Sequence, residues 1–480
     1  MPVWKFIMNL ETNYKIQKKG ITLVIPNPCG NIKETKMKNS GIEWIGEIPD
    51  EWEVIKLFWI MIFINGYAFD GTSLSLENTI PVIRIGNIVD GKIDYSSCLL
   101  SEEKNELKNF SPQKGDIIIA MSGATTGKIG IATEKNAYIN QRVGIIRSEI
   151  NTLLKYYLQL SAFEKYIELL SAGSAQPNIS MKQIQDFKIP LPPKSTQQRI
   201  ATYLDKKCSK IEETIQNQQQ VIEKLKAYKQ SLITEAVTGK KYHENCHTDS
   251  ILLTQNPNED MKTEIPLGIS YPCGNIEFKY CNLGFIADFK NGLNYNASDF
   301  GTEVKFLGVG DFQNYLVLND ESMFSNIITD TEIEDDYYLK NGDIIFVRSN
   351  GSKELVGRAI MVDNIDFKVT YSGFCIRLRN KEPKKINSKF LLYFFRSDYF
   401  RNELQRLSQG SNIANINQDL LSHIKIPLVD IRFQESVVDF LNKKCTAIDT
   451  AIEQKQNLIE KLTEYKKSLI YECVTGKKGI

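Results

Sequence analysis

Gly123–Lys128 reads GATTGK, a glycine-rich run closed by Gly-Lys, the residue types that hold a phosphate on backbone amides and a lysine ammonium. It falls one residue short of that loop's length, and Ile129 stands where the Mg-binding Ser or Thr belongs, which argues against nucleotide binding. Asn-Pro-Cys at Asn27 lacks the aromatic that follows Asn-Pro-Pro in adenine-methylating enzymes, and no glycine-rich loop follows a strand as a methyl-donor site requires. Triplets such as Glu102-Glu103-Lys104 have the make-up of a metal-dependent nuclease site, but in a chain that is 24% charged they arise from composition alone. YHENCH (Tyr242–His247), with Cys273 and Cys281 downstream, offers nitrogen and sulfur ligands at a spacing that matches no structural zinc pattern and reads as a polar linker. His423 has no paired nucleophile and reads as structural. No convergent set of nucleophile, base and metal emerges, so the residues point to recognition or assembly rather than to catalysis.

The elements that would present such residues come from composition and repetition. A chain of 480 residues with 42% hydrophobic and 10% aromatic content has the material for several cores. Its longest apolar run, Leu57 to Ile64, is far shorter than the roughly 20 residues of a membrane helix, so no membrane association and a cytoplasmic location are expected. Nine cysteines without a CxxC pair fit reduced thiols. The net charge of +1 hides a strong segregation: residues 1–40 carry +5, 41–187 −5, 188–241 +6, 242–424 −7 and 425–480 +2.

The basic segments are copies of each other. Lys188–Lys241 aligns with Lys425–Lys478 without a gap, identical at 27 of 54 positions. Each copy opens on KIPL, where proline suits a strand end or an edge, and each closes on VTGKK, where Gly239 and Gly476 occupy the C-cap position. Between them Leu204, Cys208, Ile211, Ile215, Gln218, Ile222, Leu225, Lys229, Leu232 and Ala236 recur at alternating spacings of fours and threes, and so do Leu441, Cys445, Ile448, Ile452, Lys455, Ile459, Leu462, Lys466, Leu469 and Cys473. A 3.5-residue period sustained over about 40 residues predicts two helices of roughly 60 Å joined along an apolar seam; a helix packed on its own domain would drift toward 3.6. Gln218 and Lys455 interrupt the seam at matching positions, either fixing register or marking contact with a partner helix.

The intervening segments repeat more faintly. KGDIIIAMSGATTGKIGIA from Lys114 matches NGDIIFVRSNGSKELVGRAIM from Asn341, and YINQRVGIIR from Tyr138 matches VTYSGFCIRLR from Val369. The stretch ending AQPNIS at Ser180 matches the one ending NIANIN at Asn417. Short apolar runs punctuated by Gly, Asp and Asn, followed by a helix, read as a mixed α/β domain. The organisation is an N-terminal extension (1–40), a first α/β domain (41–187), a central helix (188–241), a second α/β domain (242–424) and a C-terminal helix (425–480). The fold class is therefore α/β (α+β), with two tandem domains separated by two long helices that pair with each other.

SGIEWIGEIPDEWEVIKL (Ser40–Leu57), the GDIII and GDIIF strands, IPLPPKSTQQRIATYLDKK, and the LITEAVTGK and LIYECVTGK endings together resemble the specificity subunits of Type I restriction-modification systems, from about Gly41 onward. The resemblance implies two target-recognition domains, each reading one half of a bipartite double-stranded DNA sequence. It also implies that the paired helices are an antiparallel coiled coil with pseudo-two-fold symmetry. It further implies two methyltransferase subunits as partners and endonuclease/translocase subunits in the full complex. S-adenosylmethionine, ATP and Mg would sit on those partners, with no cofactor in this chain. In such subunits GIEWIGEIP lies close to the start methionine, whereas here 36 residues precede Met37.

For reading DNA, polar and basic side chains on loops between strands are the expected groups. The candidates are Ser122, Lys128, Asn140, Gln141 and Arg142 in the first domain and Arg348, Asn350, Lys353 and Arg358 in the second. A two-domain protein-interaction scaffold that binds no DNA is the other reading the residues leave open.

Overall fold

The computed structural model describes residues 36–75, 77–134, 136–171, 177–239, 278–294, 301–312, 316–330, 332–349, 355–407 and 415–480; the N-terminal segment to residue 35, both PCGNI copies and YHENCH lie outside them. Two compact units result, unit 1 from Met1–Asn217 with Leu458–Ile480 and unit 2 from Gln218–Asn457. This division cuts through both long helices, so each unit owns part of each.

In unit 1 the principal sheet runs in the order β1 (Ile62–Asn65), β6 (Val143–Arg147), β3 (Ile117–Ala120), β4 (Ile129–Ile131), followed by Lys92–Ile93 and Ile88–Val89. A second sheet places β2 (Ile80–Ile83) between the parallel β5 (Tyr138–Ile139) and antiparallel Leu99–Ser101. Unit 2 repeats the plan. Its larger sheet runs β7 (Ala287–Asn291), β12 (Cys375–Asn380), β9 (Ile344–Val347), β10 (Ala359–Val362), Val317–Leu318. Its smaller sheet has β8 (Thr302–Leu307) between the parallel β11 (Val369–Tyr371) and antiparallel Ser325–Thr329.

The central strands explain why IIIA and IIFV are apolar at every position. Successive side chains of a strand face opposite ways. Ile117 and Ile119 enter a core shared with helices Asn151–Tyr157 and Ser161–Ser171, while Ile118 and Ala120 enter a second core against the smaller sheet. In unit 2 Ile344 and Phe346 meet the helices Ser388–Phe395 and Asp398–Leu407, and Ile345 and Val347 face the smaller sheet. Each unit is thus three layers with the large sheet in the middle.

The long helices are α1 (Lys194–Thr238) and α2 (Ile431–Val474). Of the seam residues, Leu204, Ile211, Ile222, Leu232, Leu441, Ile448 and Leu469 are buried, and Ile215, Leu225, Ile452, Ile459 and Leu462 are half-buried. In each unit the two helices run antiparallel. Unit 1 pairs Glu212 with Lys466 at 2.6 Å and Arg199 with the Ile480 carbonyl. Unit 2 pairs Lys229 with Asp449 at 2.7 Å, and Lys455 donates to Gln218 Oε1 at 3.0 Å. The two residues that interrupt the apolar seam therefore satisfy each other. Because Asp449 is the repeat equivalent of Glu212, and Lys466 of Lys229, the two ion pairs are one pair with the helix roles exchanged.

The family-like opening and the VTGK ending also find their reason in packing. Ile45, Ile48 and Trp52 share a core with Leu469, Ile470, Cys473 and Val474, and Tyr471 donates to the Trp44 carbonyl. Gly476 (φ +73) ends α2 where any side chain would run into Pro49. The KIPL strands pair antiparallel with Glu53–Lys56 in unit 1 and with Lys279–Asn282 in unit 2, in two-stranded ribbons that tolerate the proline.

Each GD motif makes a turn and an ion pair. Gly115 (φ +91) and Gly342 (φ +88) take the left-handed turn, and the following Asp is buried. Asp116 accepts from Gln113 N and from Arg147 at 2.6 Å; Asp343 accepts from Lys340 N and from Arg379 at 2.7 Å. Each Arg sits on the neighbouring antiparallel strand, so the pair locks strand register, and the carboxylate holds each guanidinium above its usual pKa. Replacing Asp343 with Ala leaves Arg379 without its buried partner, and the expected loss is about 3 kcal/mol in unit 2, measured as a lower urea midpoint. Burial also pushes Cys375 and Cys473 up to about 12 and Cys208 up to about 11. These thiolates are therefore scarcer at pH 8 than that of an exposed thiol, and the native chain is expected to label there with maleimide far more slowly than the urea-unfolded chain, a difference read by mass spectrometry.

Candidate nucleic-acid interface

The loops at one end of each large sheet gather most of the sequence-selected residues. In unit 1, β3 runs out into Met121 and Ser122, and the chain turns through GATTGK. It re-enters at Lys128, whose carbonyl accepts from Ala120 N at 2.9 Å. Met121 N bonds the Arg142 carbonyl, and Val143 N closes the turn Asn140-Gln141-Arg142 by bonding Asn140 O. Asn140 N bonds Ile83 O at the end of β2, and Tyr67 bridges to Asn140 from the end of β1. Five candidates, Ser122, Lys128, Asn140, Gln141 and Arg142, thus come together on one rim. Lys128, Gln141 and Arg142 are exposed.

Unit 2 builds the same rim bond for bond. Val347 N bonds Arg358 O, Arg348 N bonds Phe374 O, Cys375 N closes the turn on Ser372 O, and Ser372 N bonds Leu307 O. Leu293 bridges to Ser372 as Tyr67 does to Asn140. These matched bonds give the equivalences: Lys128 with Arg358, Ser122 with Ser349, Asn140 with Ser372, Gln141 with Gly373 and Arg142 with Phe374. Arg348 corresponds to Met121, one place before the rim, and is half-buried. Asn350 and Lys353 lie outside the described residues.

Several rim residues escaped sequence reasoning. Asn178 bridges to Ser122 and Asn415 bridges to Ser349, both exposed. The aligned endings AQPNIS and NIANIN carry that signal, since each places an Asn before a buried Ile. Tyr67 and Phe374 (57% exposed) present aromatic faces that no alternation pattern marks. Two close approaches hold the rims. A side chain at Gly66 would overlap the Asn140 carbonyl, and one at Gly292 the Ser372 carbonyl.

The rims are polar and basic although the segments that build them, 41–187 and 242–424, are net acidic. Behind Arg358, the Arg396 guanidinium donates to the Ala359 carbonyl, and burial together with the Arg358 charge pushes it down to about 10. In unit 1 Ser122 Oγ and Thr125 Oγ1 are buried without a hydrogen-bond partner, as is Arg84 Nε at the end of β2. Among the described residues no cluster of His, Cys, Asp and Glu is arranged to hold a metal ion, and no helix is long and apolar enough to cross a membrane.

Comparison with known proteins bears on what such rims are for. The family model for the Type I restriction modification DNA specificity domain matches residues 49–224 and 275–462, one match on each repeat. The chain belongs to this family. The StySPI specificity subunit of Salmonella potsdam is 26% identical over 455 residues, covering 90% of both chains. The EcoKI specificity subunit of Escherichia coli K12 is 23% identical with the same coverage, and the MjaVIII specificity subunit of Methanocaldococcus jannaschii is 24% identical over 90% of this chain and 93% of that one. A solved chain from work on complex assembly and conformational transition of the type I R-M system superposes with a TM-score of 0.63, at 14% identity, over 89% of this chain and 98% of that one. That likeness supports the fold.

In this specificity-family chain, the framework predicts the effect of disturbing one rim. Gly292→Ala drives a methyl group into the Ser372 carbonyl; the expected cost is about 1–3 kcal/mol, with faster amide exchange at Ser372–Cys375 and no change at Asn140–Val143.

Proposed function

We propose that this chain is a non-catalytic DNA-reading subunit whose two units each recognise one half of a bipartite sequence. The observation that carries the reading is the pair of rims: one hydrogen-bonded framework built twice, dressed with different side chains. Lys128 and Arg358, Ser122 and Ser349, and Asn178 and Asn415 keep their chemical type between the repeats; Arg142 and Phe374, Tyr67 and Leu293 do not. Contacts to phosphate position a protein without reading sequence, and contacts to base edges specify. The shared residues suit the first role and the differing ones the second.

The same duplication supports assembly with two copies of a methyltransferase subunit. Trp59 stands two residues after Leu57 in unit 1 as Phe285 stands two after Leu283 in unit 2, and they are 74% and 76% exposed in the turns that precede β1 and β7. An exposed aromatic held at the same place in both units is an anchor of the kind that dominates protein interfaces. On this reading S-adenosylmethionine is bound by the methyltransferase copies, ATP and Mg by the endonuclease/translocase subunits, and the isolated chain turns over nothing.

Exchanging residues 41–187 for those of another family member, in the assembled methyltransferase complex, is expected to change one half of the methylated motif and leave the other intact; an unchanged motif would favour the scaffold reading. In the same complex, Lys128→Ala is expected to leave the motif unchanged while lowering the slope of log K against log salt by about 0.9, the contribution of one phosphate contact.

A further inference from the structure

The two rims differ most sharply at one position. At the end of β2 the chain reads Arg84-Ile85-Gly86-Asn87, and at the end of β8 it reads Gly308-Val309-Gly310-Asp311. The backbone is the same in both: Arg84 N donates to Asn87 Oδ1 at 2.8 Å, and Gly308 N donates to Asp311 Oδ2 at 2.7 Å. Arg84 stands on the rim, since the preceding carbonyl of Ile83 accepts from Asn140 N and the turn after it packs on the Gly123–Thr125 turn through Ile85 and Gly123. Its side chain is only partly exposed, and its Nε is buried without a partner. Two more unpartnered groups, Ser122 Oγ and Thr125 Oγ1, flank that neighbouring turn. A buried guanidinium N–H with no acceptor is costly, and an arriving ligand that supplies one relieves the cost.

We infer that Arg84 is a specificity-determining residue of unit 1, donating through its fork to a base edge with two acceptors, as guanine presents in the major groove, and that unit 2 has no counterpart because Gly308 holds the matching place. This rests on the reading of unit 1 as a DNA reader. Guanidinium geometry suits a two-acceptor edge, since it offers parallel donors, accepts nothing, and stays charged.

The test maps methylated positions in DNA from cells whose only modification system is this chain with its methyltransferase subunits. Arg84→Ala and the stem-preserving Arg84→Gln are expected to make one base position in one half-site degenerate, with discrimination there falling about 5- to 150-fold, while the other half-site stays unchanged. Gly308 has room for the reciprocal change, its nearest neighbour to an added Cβ being a Phe306 ring atom at 3.5 Å, and Gly308→Arg is expected to add a base preference in the other half-site. An unaltered motif in both Arg84 variants overturns the inference. So does methylation that weakens equally at every site with a shallower salt slope, the mark of a phosphate contact. If exchanging all of residues 41–187 leaves the motif unchanged as well, the DNA-reading assignment of unit 1 fails; if that exchange changes the motif and the Arg84 variants do not, only the role of Arg84 fails.

Discussion

Everything in each unit hangs on a central strand that is buried on both faces. β3 and β9 cannot slide by one residue without sending Ile117 and Ile119, or Ile344 and Phe346, from the helical core into the other one. The Asp116–Arg147 and Asp343–Arg379 pairs fasten one end of these strands to their neighbours. With one end pinned and both faces packed, the loops at the other end emerge at fixed places. A surface built to be read against a rigid duplex needs that property, because side chains can then be exchanged on the rim without moving the frame that aims them.

Much of this is legible in the sequence, for identifiable reasons. The seam is visible because a 3.5-residue period over about forty residues has few other causes, and the helix-end glycines because positive φ selects them. The Asp of GDIII gives no sign of its Arg partner, which lies 31 residues away at the far end of another strand. Gln218 and Lys455 stand out as interruptions, but only antiparallel pairing makes them neighbours. The rim residues are the least legible. In unit 2 the apolar pattern of IIFV continues into Arg348, whose basic side chain draws notice away from Ser349, which the matched bonds place on the rim.

Net charge misleads in a similar way. Many acids of the two units are already engaged: the buried Asp116 and Asp343 by half-buried arginines, Asp336 by Lys290 and Arg377, Asp205 by Lys155 and by the Tyr156 hydroxyl. On the proposed reading, what approaching DNA would meet is the local field at the rim, where Lys128, Arg142 and Arg358 stand, and that field follows placement rather than totals.

The division of the long helices has a consequence for the order in which the molecule can be made. Unit 2 is one unbroken stretch, Gln218–Asn457, and all its core residues have been synthesised while the last part of the chain is still to come. Unit 1 is different: Leu469, Ile470, Cys473 and Val474 fill its core, and Tyr157 donates to the Val474 carbonyl, yet these residues follow the whole of unit 2 in the chain. Unit 1 therefore cannot close its core until the whole of unit 2 has been synthesised. A chain cut between Asn457 and Leu469 keeps all of unit 2 but lacks these core residues of unit 1, and such copies are marked by an exposed apolar face.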